Sequence, residues 1–182
     1  MSEWPNLFKY VITGAFDKDV IDRYLQDIRK QTSCDSSILH FAVIGGNLKT
    51  IKYLIDNGAD VNAVNDFGET PLHWCCKEGN LEITRLLISC GADYTLLDND
   101  ENSVLHWVAE YDEKEMLLEF LKKNIQIQGN IYNQTPLDVA LLNNSYKSIE
   151  ILKCIERVSL PSSKYFQNKK SKKISLVHHP SC

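Results

Sequence analysis

Leucines recur along the chain at Leu7, Leu39, Leu72, Leu105 and Leu137. The steps between them are 32, 33, 33 and 32. Seven residues after each stands Gly14, Gly46, Gly79, Asp112 or Asn144. These types tolerate a left-handed backbone better than most, so a tight turn is expected at one place in every unit. Nineteen residues after three of the leucines come Gly58, Gly91 and Asn124, the residue types usual just past a helix C-terminus. Between these marks the apolar spacing is helical. In the third unit Thr70 can cap a helix and Pro71 can occupy its first turn. Leu72, Cys75 and Cys76 then share one face at i, i+3 and i+4. After Gly79 the spacing of Ile83, Leu86 and Leu87 predicts a second helix over 81–89, ended by Gly91. The polar, turn-rich stretch 92–101 reads as an extended loop, with Glu101 in the place of Gly68. Each unit is thus helix, tight turn, helix, long loop. Neither helix can bury its apolar face alone, and stacking the units supplies a continuous core.

The repeated segments Ser37-Ile38-Leu39-His40, Thr70-Pro71-Leu72-His73, Ser103-Val104-Leu105-His106 and Thr135-Pro136-Leu137-Asp138 resemble the helix-start motif of the ankyrin family. Asn57-Gly58-Ala59-Asp60-Val61-Asn62-Ala63 and Cys90-Gly91-Ala92-Asp93 are similar to that family's loop after the second helix. The resemblance implies an all-α ankyrin-repeat solenoid: stacked helix-turn-helix units with long loops or short β-hairpins. The expected units are 36–68, 69–101, 102–133 and 134–157, preceded by a degenerate capping repeat over 1–35 that keeps Leu7, Gly14, Phe16, Tyr24 and Leu25. Two units depart from this pattern. Asp112 replaces glycine in the fourth unit, where a non-glycine left-handed residue costs about 1 kcal/mol. That unit's second helix, over 114–122, also has a shifted apolar pattern. The fifth unit lacks the Gly-Ala-Asp loop, and Glu150 and Lys153 on its second helix suit a terminal cap facing water. Residues 158–182, with Pro161, Ser162, Ser163 and a lysine cluster, read as a flexible basic tail.

Charge sharpens this picture. Residues 158–182 hold five lysines and no acid, which leaves 15 basic and 24 acidic groups, net −9, on the rest of the chain. An acidic body argues against nucleic-acid binding by the repeats, because phosphate backbones need positive surface. No stretch approaches the roughly 20 apolar residues of a membrane span. The N-terminus lacks the basic and apolar regions of a secretory signal. The six cysteines contain no C-x-x-C pair, and adjacent Cys75 and Cys76 are poorly placed to bridge, so reduced intracellular thiols are expected.

The chemical signals are weak individually. His40, His73 and His106 lie one unit apart, and stacked helices are roughly 8–10 Å apart. Zinc needs histidine nitrogens at about 2 Å, so a structural ring bonded to the motif Ser/Thr is expected and no metal. Gly45-Gly46-Asn47-Leu48-Lys49-Thr50 lacks the glycine before lysine that a phosphate loop needs. Cys75 and Cys76 stand where the family has small core residues, and their expected role is packing. Trp74 and Trp107 follow the motif histidines, as Phe41 does one unit earlier, and admit two readings: inter-repeat packing, or an aromatic stripe that anchors a partner. The cluster Lys169-Lys170-Ser171-Lys172-Lys173 can be an import signal, an anionic-surface contact or a solvated run.

No catalytic constellation, cofactor or metal set is legible, and the family resemblance implies a non-catalytic protein-interaction module, monomeric alone. Its implied contact residues, on the concave face and loop tips, are Asp66, Phe67, Glu69, Trp74, Lys77 and Glu78 in the third unit. Asn99, Asp100, Asn102, Trp107, Glu110 and Tyr111 follow in the fourth, and Tyr132 and Gln134 in the fifth. Their aromatic and mostly acidic character favours a basic or mixed protein surface. Three readings stay open: an inhibitor of a signalling protein, a host-directed effector of a microbe or virus, and an adaptor recruiting a substrate to a larger enzyme complex. The expected location is cytoplasmic, nuclear if the lysine cluster acts as an import signal, and the host cell if the chain is microbial or viral.

Overall fold

The computed structural model describes residues 8, 10–23, 36–123 and 125–159, with side chains to residue 155. Asn124, residues 24–35 of the expected first unit and residues 160–182 of the expected tail lie outside them. After helical residues 10–12 come α1 (Lys18–Arg23), α2 (Ile38–Gly45), α3 (Leu48–Asp56), α4 (Pro71–Glu78) and α5 (Leu81–Ser89). The series continues with α6 (Val104–Glu110), α7 (Lys114–Leu121), α8 (Pro136–Asn143) and α9 (Tyr146–Ser159). The first helices of successive units pack in one row, α2 on α4 on α6 on α8. The second helices form another row, with α3 against α5 and α7 against α9, and each pair is joined through its tight turn. Among the described residues no extended strand occurs.

Leu39, Leu72, Leu105 and Leu137 are all buried between the rows, as their ladder predicts. Small residues fill the contact between neighbouring first helices: Ala42, Cys75, Val108 and Ala140 in one register position, Val43, Cys76 and Ala109 in the next. Burial pushes both the Cys75 and Cys76 thiols far above the ordinary cysteine range, so they act as small apolar residues rather than nucleophiles. The tight turns sit where expected. Gly14, Gly46 and Gly79 have φ of 71°, 72° and 67°, and Asp112 and Asn144 adopt 59° and 58°. Gly45 cannot carry a side chain, because a Cβ there would meet the Val11 carbonyl. The Gly-Gly pair is therefore a turn between closely approaching units.

The unit with Asp112 recovers part of its backbone cost. The Asp112 carboxylate accepts the Ser148 N–H of α9 at 2.8 Å, capping a helix of the following unit. The cap is needed because Ser145, at the start of α9, spends its own hydroxyl on the Glu110 carbonyl at 2.8 Å. α9 is the longest of the described helices and runs to Ser159. The sequence explains why: no glycine, asparagine or proline interrupts it until Pro161, and the residue before a proline disfavours helix.

Each first helix begins with a reciprocal clasp. The N–H groups of Ser37, Thr70 and Ser103 each donate to Nδ1 of His40, His73 and His106 at 3.1 Å. Nδ1 is therefore an acceptor, and the ring proton must sit on Nε2. That Nε2–H reaches into the next unit, donating to the Glu69 carbonyl from His40 and to the Gln134 carbonyl from His106, each at 3.0 Å. His73 is just as buried, but its Nε2 lacks a partner at hydrogen-bond distance, with the Asn102 carbonyl nearby. Burial lowers the pKa of His40 and His73 to about 4 and lowers that of His106.

Two outcomes follow. The unfolded chain binds histidine protons below about pH 6.5, whereas folded His40 and His73 do so only near 4. Stability should therefore fall as pH drops through this window, by about 1–2 kcal/mol per histidine between pH 7 and 5. Urea midpoints at the two pH values measure this, and equal midpoints would contradict it. The lowered carboxyl pKa values of Asp93 and Glu119 act only at more acidic pH. Separately, Asp112→Ala should cost about 1–2 kcal/mol by losing the cap while keeping a left-handed residue. Asp112→Gly should cost clearly less, because glycine offsets the lost cap with relieved strain. Equal midpoints for the two variants would sink this reading.

Candidate functional site

The loops between units are built around Asn65, Asp98 and Asn130. Each Oδ1 accepts two backbone N–H groups: Asn65 from Phe67 and Glu69 at 3.0 and 2.9 Å, Asp98 from Asp100 and Asn102 at 3.0 and 2.8 Å, Asn130 from Tyr132 and Gln134, both at 3.0 Å. The ends of each turn are pinched by backbone bonds from Asn65 to Glu69, Asp98 to Asn102 and Asn130 to Gln134. A left-handed residue, Gly68, Glu101 or Asn133, closes each one. Asn and Asp suit this place because their short side chains mimic a backbone turn. These three residues set the positions of the contact residues, yet they are absent from the set read off the sequence. Their steps, 33 and then 32, repeat those of the leucines and were the available signal.

The tips are tied edge to edge. The Asn99 N–H donates to the Phe67 carbonyl at 2.9 Å, and the Asn99 side chain donates to the Asp66 carbonyl at 2.8 Å. The Ile131 N–H donates to the Asp100 carbonyl at 3.0 Å, and the Asn130 side chain to Asn102 Oδ1 at 2.8 Å. Asn99 and Asn102 thus hold loop to loop. Gln134 supplies the carbonyl that receives His106.

The two tryptophans are half-buried and bonded. Trp74 Nε1 donates to Glu69 at 2.7 Å, and the same carboxylate oxygen accepts from Asn65 at 2.8 Å. Trp107 Nε1 donates to Asp98 at 2.8 Å. The two units reach one arrangement with different residues, because Asp98 serves as both loop former and indole acceptor while Asn65 and Glu69 divide those tasks. The rings stack edge-on along the first-helix row: Phe8 on Phe41 at 4.6 Å, Phe41 on Trp74 at 5.7 Å, and His73 tilted on Trp107 at 5.6 Å. The packing reading therefore accounts for much of both indoles. Glu69 too is half-buried and engaged internally.

Outside this floor most of the expected residues stand in solvent. Phe67 and Tyr132 are 61% and 56% exposed at the loop tips, and Tyr111, at the end of α6, packs on Trp107 with ring centroids 6.0 Å apart. Asp66, Lys77, Glu78, Asn99 and Glu110 are exposed, while Asp100, Asn102 and Gln134 are half-buried. Burial, then the carboxylates of Glu110, Glu69 and Glu78, push the Tyr111 hydroxyl up to about 12. The acids of neighbouring units thus converge on this ring. Across loops 65–69, 98–102 and 130–134 together with α2, α4, α6 and α8 there are eight acids and one base, Lys77. The second helices α3, α5, α7 and α9 carry seven basic and six acidic residues. Negative charge is therefore concentrated on the loop and first-helix side.

Among the described residues no helix is long and apolar enough to cross a membrane. Residues 7–98, half of the chain, match ankyrin repeats in three copies. A putative ankyrin repeat protein of Acanthamoeba polyphaga mimivirus is 63% identical over 27 residues, 15% of this chain and 21% of that protein. An ankyrin repeat protein of monkeypox virus is 31% identical over 70 residues, 38% of this chain and 11% of that protein. The chain thus spans only a small part of the length of these relatives. Ankyrin repeats generally mediate contacts between proteins and are typically non-catalytic. The leucine ladder, the Thr/Ser-x-Leu-His clasps, the paired-helix rows and this match leave one conclusion: the chain belongs to the ankyrin-repeat family.

Proposed function

We propose that the chain binds a partner protein across its third and fourth units, taking a segment in which lysine or arginine alternates with apolar side chains. The observation that carries this reading is the coincidence of exposed aromatics with concentrated negative charge on one side of the stack. Trp74 and Trp107 form a rigid floor, and Phe67 and Tyr111 stand above it as anchors. Asp66, Glu78, Asp100 and Glu110 surround them as a rim that speeds encounter with a basic partner. Tyr132 extends the surface to the fifth unit. Glu69, Asn99, Asn102 and Gln134 hold the loops in place. That both relatives above are viral proteins supports a host-directed role, in which the chain occupies a host protein's interaction surface and acts inside the host cell.

Affinity capture with the full chain, followed by mass spectrometry, supplies the partner. Phe67→Ala and Tyr111→Ala should then each weaken binding by roughly 30-fold, about 2 kcal/mol, at an unchanged melting temperature. Glu78→Lys with Glu110→Lys should mainly slow association and flatten its salt dependence. If both aromatic variants bind like the parent while changes confined to residues 160–182 abolish binding, this surface is not the binding site.

A further inference from the structure

The shifted apolar pattern of α7 opens a groove on the second-helix side of the stack. Thirteen residues after the motif leucine the second and third units carry Lys52 and Arg85, and each is ion-paired, Lys52 to Asp56 at 2.7 Å and Arg85 to Glu119 at 3.1 Å. The fourth unit has Leu118 there, exposed by 40%. Twenty residues after the leucine the second and third units have the buried Ala59 and Ala92, whereas the fourth has the larger Ile125. Ile127 follows, exposed by 43%. Together with Leu121 on α7 and Ile151 and Ile155 on α9, these side chains line an open groove of about 840 Å³, in the size range of sites that bury a ligand. Between the third and fourth units the same side is bridged by the Arg85–Glu119 pair and by Lys123 over the Tyr94 ring at 5.5 Å.

The charge around the groove indicates what suits it. Lys114 and Lys122 stand at the two ends of the α7 wall, about 12 Å apart along the helix axis, and Glu150 stands on the α9 wall. Among the described residues neither lysine is in an ion pair. Residues 114–128 and 146–159 together hold six basic and four acidic residues, a local positive excess in a chain whose repeats are net acidic. One of those four acids, Glu119, is already held by Arg85. An aliphatic groove with a basic wall takes an amphipathic segment whose apolar side chains enter it and whose carboxylates meet the lysines. The chain's own residues 158–182 do not suit it, since five lysines and no acid give them the charge of that wall. We propose that this groove is a second docking surface, independent of the acidic one, for a partner segment of apolar residues flanked by aspartate or glutamate.

The test is a displayed library of random linear peptides, selected on the full chain and counter-selected on its Leu118→Lys variant. Lysine already holds this place in the second unit, so the variant keeps its helix, which circular dichroism checks. The expected survivors carry aliphatic residues at helical spacing and more aspartate and glutamate than lysine and arginine. A synthetic copy of one survivor should bind the full chain and bind Phe67→Ala equally well. Lys114→Glu combined with Lys122→Glu should weaken it roughly tenfold, about the effect of losing two exposed ion pairs. Survivors rich in lysine or arginine, a peptide indifferent to the two glutamates, or no peptide that distinguishes the full chain from Leu118→Lys would overturn the proposal. Sedimentation showing dimers of the full chain that Leu118→Lys abolishes would overturn it too, because a second copy would then hold the groove.

Discussion

The structure depends on a neutral histidine that works in two directions. His40 and His106 accept the N–H that starts their own helix on one ring nitrogen and donate from the other into the next unit. A protonated ring would set a donor against a backbone donor, so the clasp exists only in one charge state and one tautomer. Burial lowers the histidine pKa and so favours the neutral ring that the clasp needs. In a stack where each unit touches only its neighbours, such bonds fix the register that apolar packing alone leaves loose. The last unit is informative by contrast. Asp138 replaces histidine there and still accepts the Thr135 N–H at 3.0 Å. The helix start is kept, and among the described residues the bonds of the Asp138 carboxylate go to Thr135.

Elsewhere the repeats keep a geometry while changing its chemistry. The left-handed turn is glycine in three units, Asp112 in the fourth and Asn144 in the fifth. Where glycine gives way to Asp112, the new carboxylate caps the next unit's helix. The indole acceptor moves from Glu69 in one unit to Asp98 in the next, and the tryptophan stays where it was. The aromatic floor is thus the fixed part of the surface. The loop tips, where Phe67, Asp100 and Tyr132 occupy equivalent places, vary most. That division suits a binding protein, in which a rigid frame positions changeable contacts.

The architecture was legible because helix pairs need apolar faces at fixed spacing, and leucine, glycine and the motif histidines recur at that spacing. The left-handed state of Asp112 and Asn144 was legible for the same reason. Three features were not. The loop-forming Asn65, Asp98 and Asn130 look like ordinary polar residues until their paired N–H bonds are seen. The internal commitment of Glu69 depends on where an indole points, which spacing does not encode. The segregation of charge needs the fold, since acids scattered along the sequence gather on one side only once the first helices and loops line up.

The clasp can be observed directly. Long-range nitrogen–proton NMR correlation on the imidazole rings of the full chain at pH 7 reports which ring nitrogen carries the proton. The account predicts that His40 and His106 are neutral with the proton on Nε2, and remain so at pH values where an exposed histidine is already charged. Rings protonated on Nδ1, or titrating like free histidine, would contradict it.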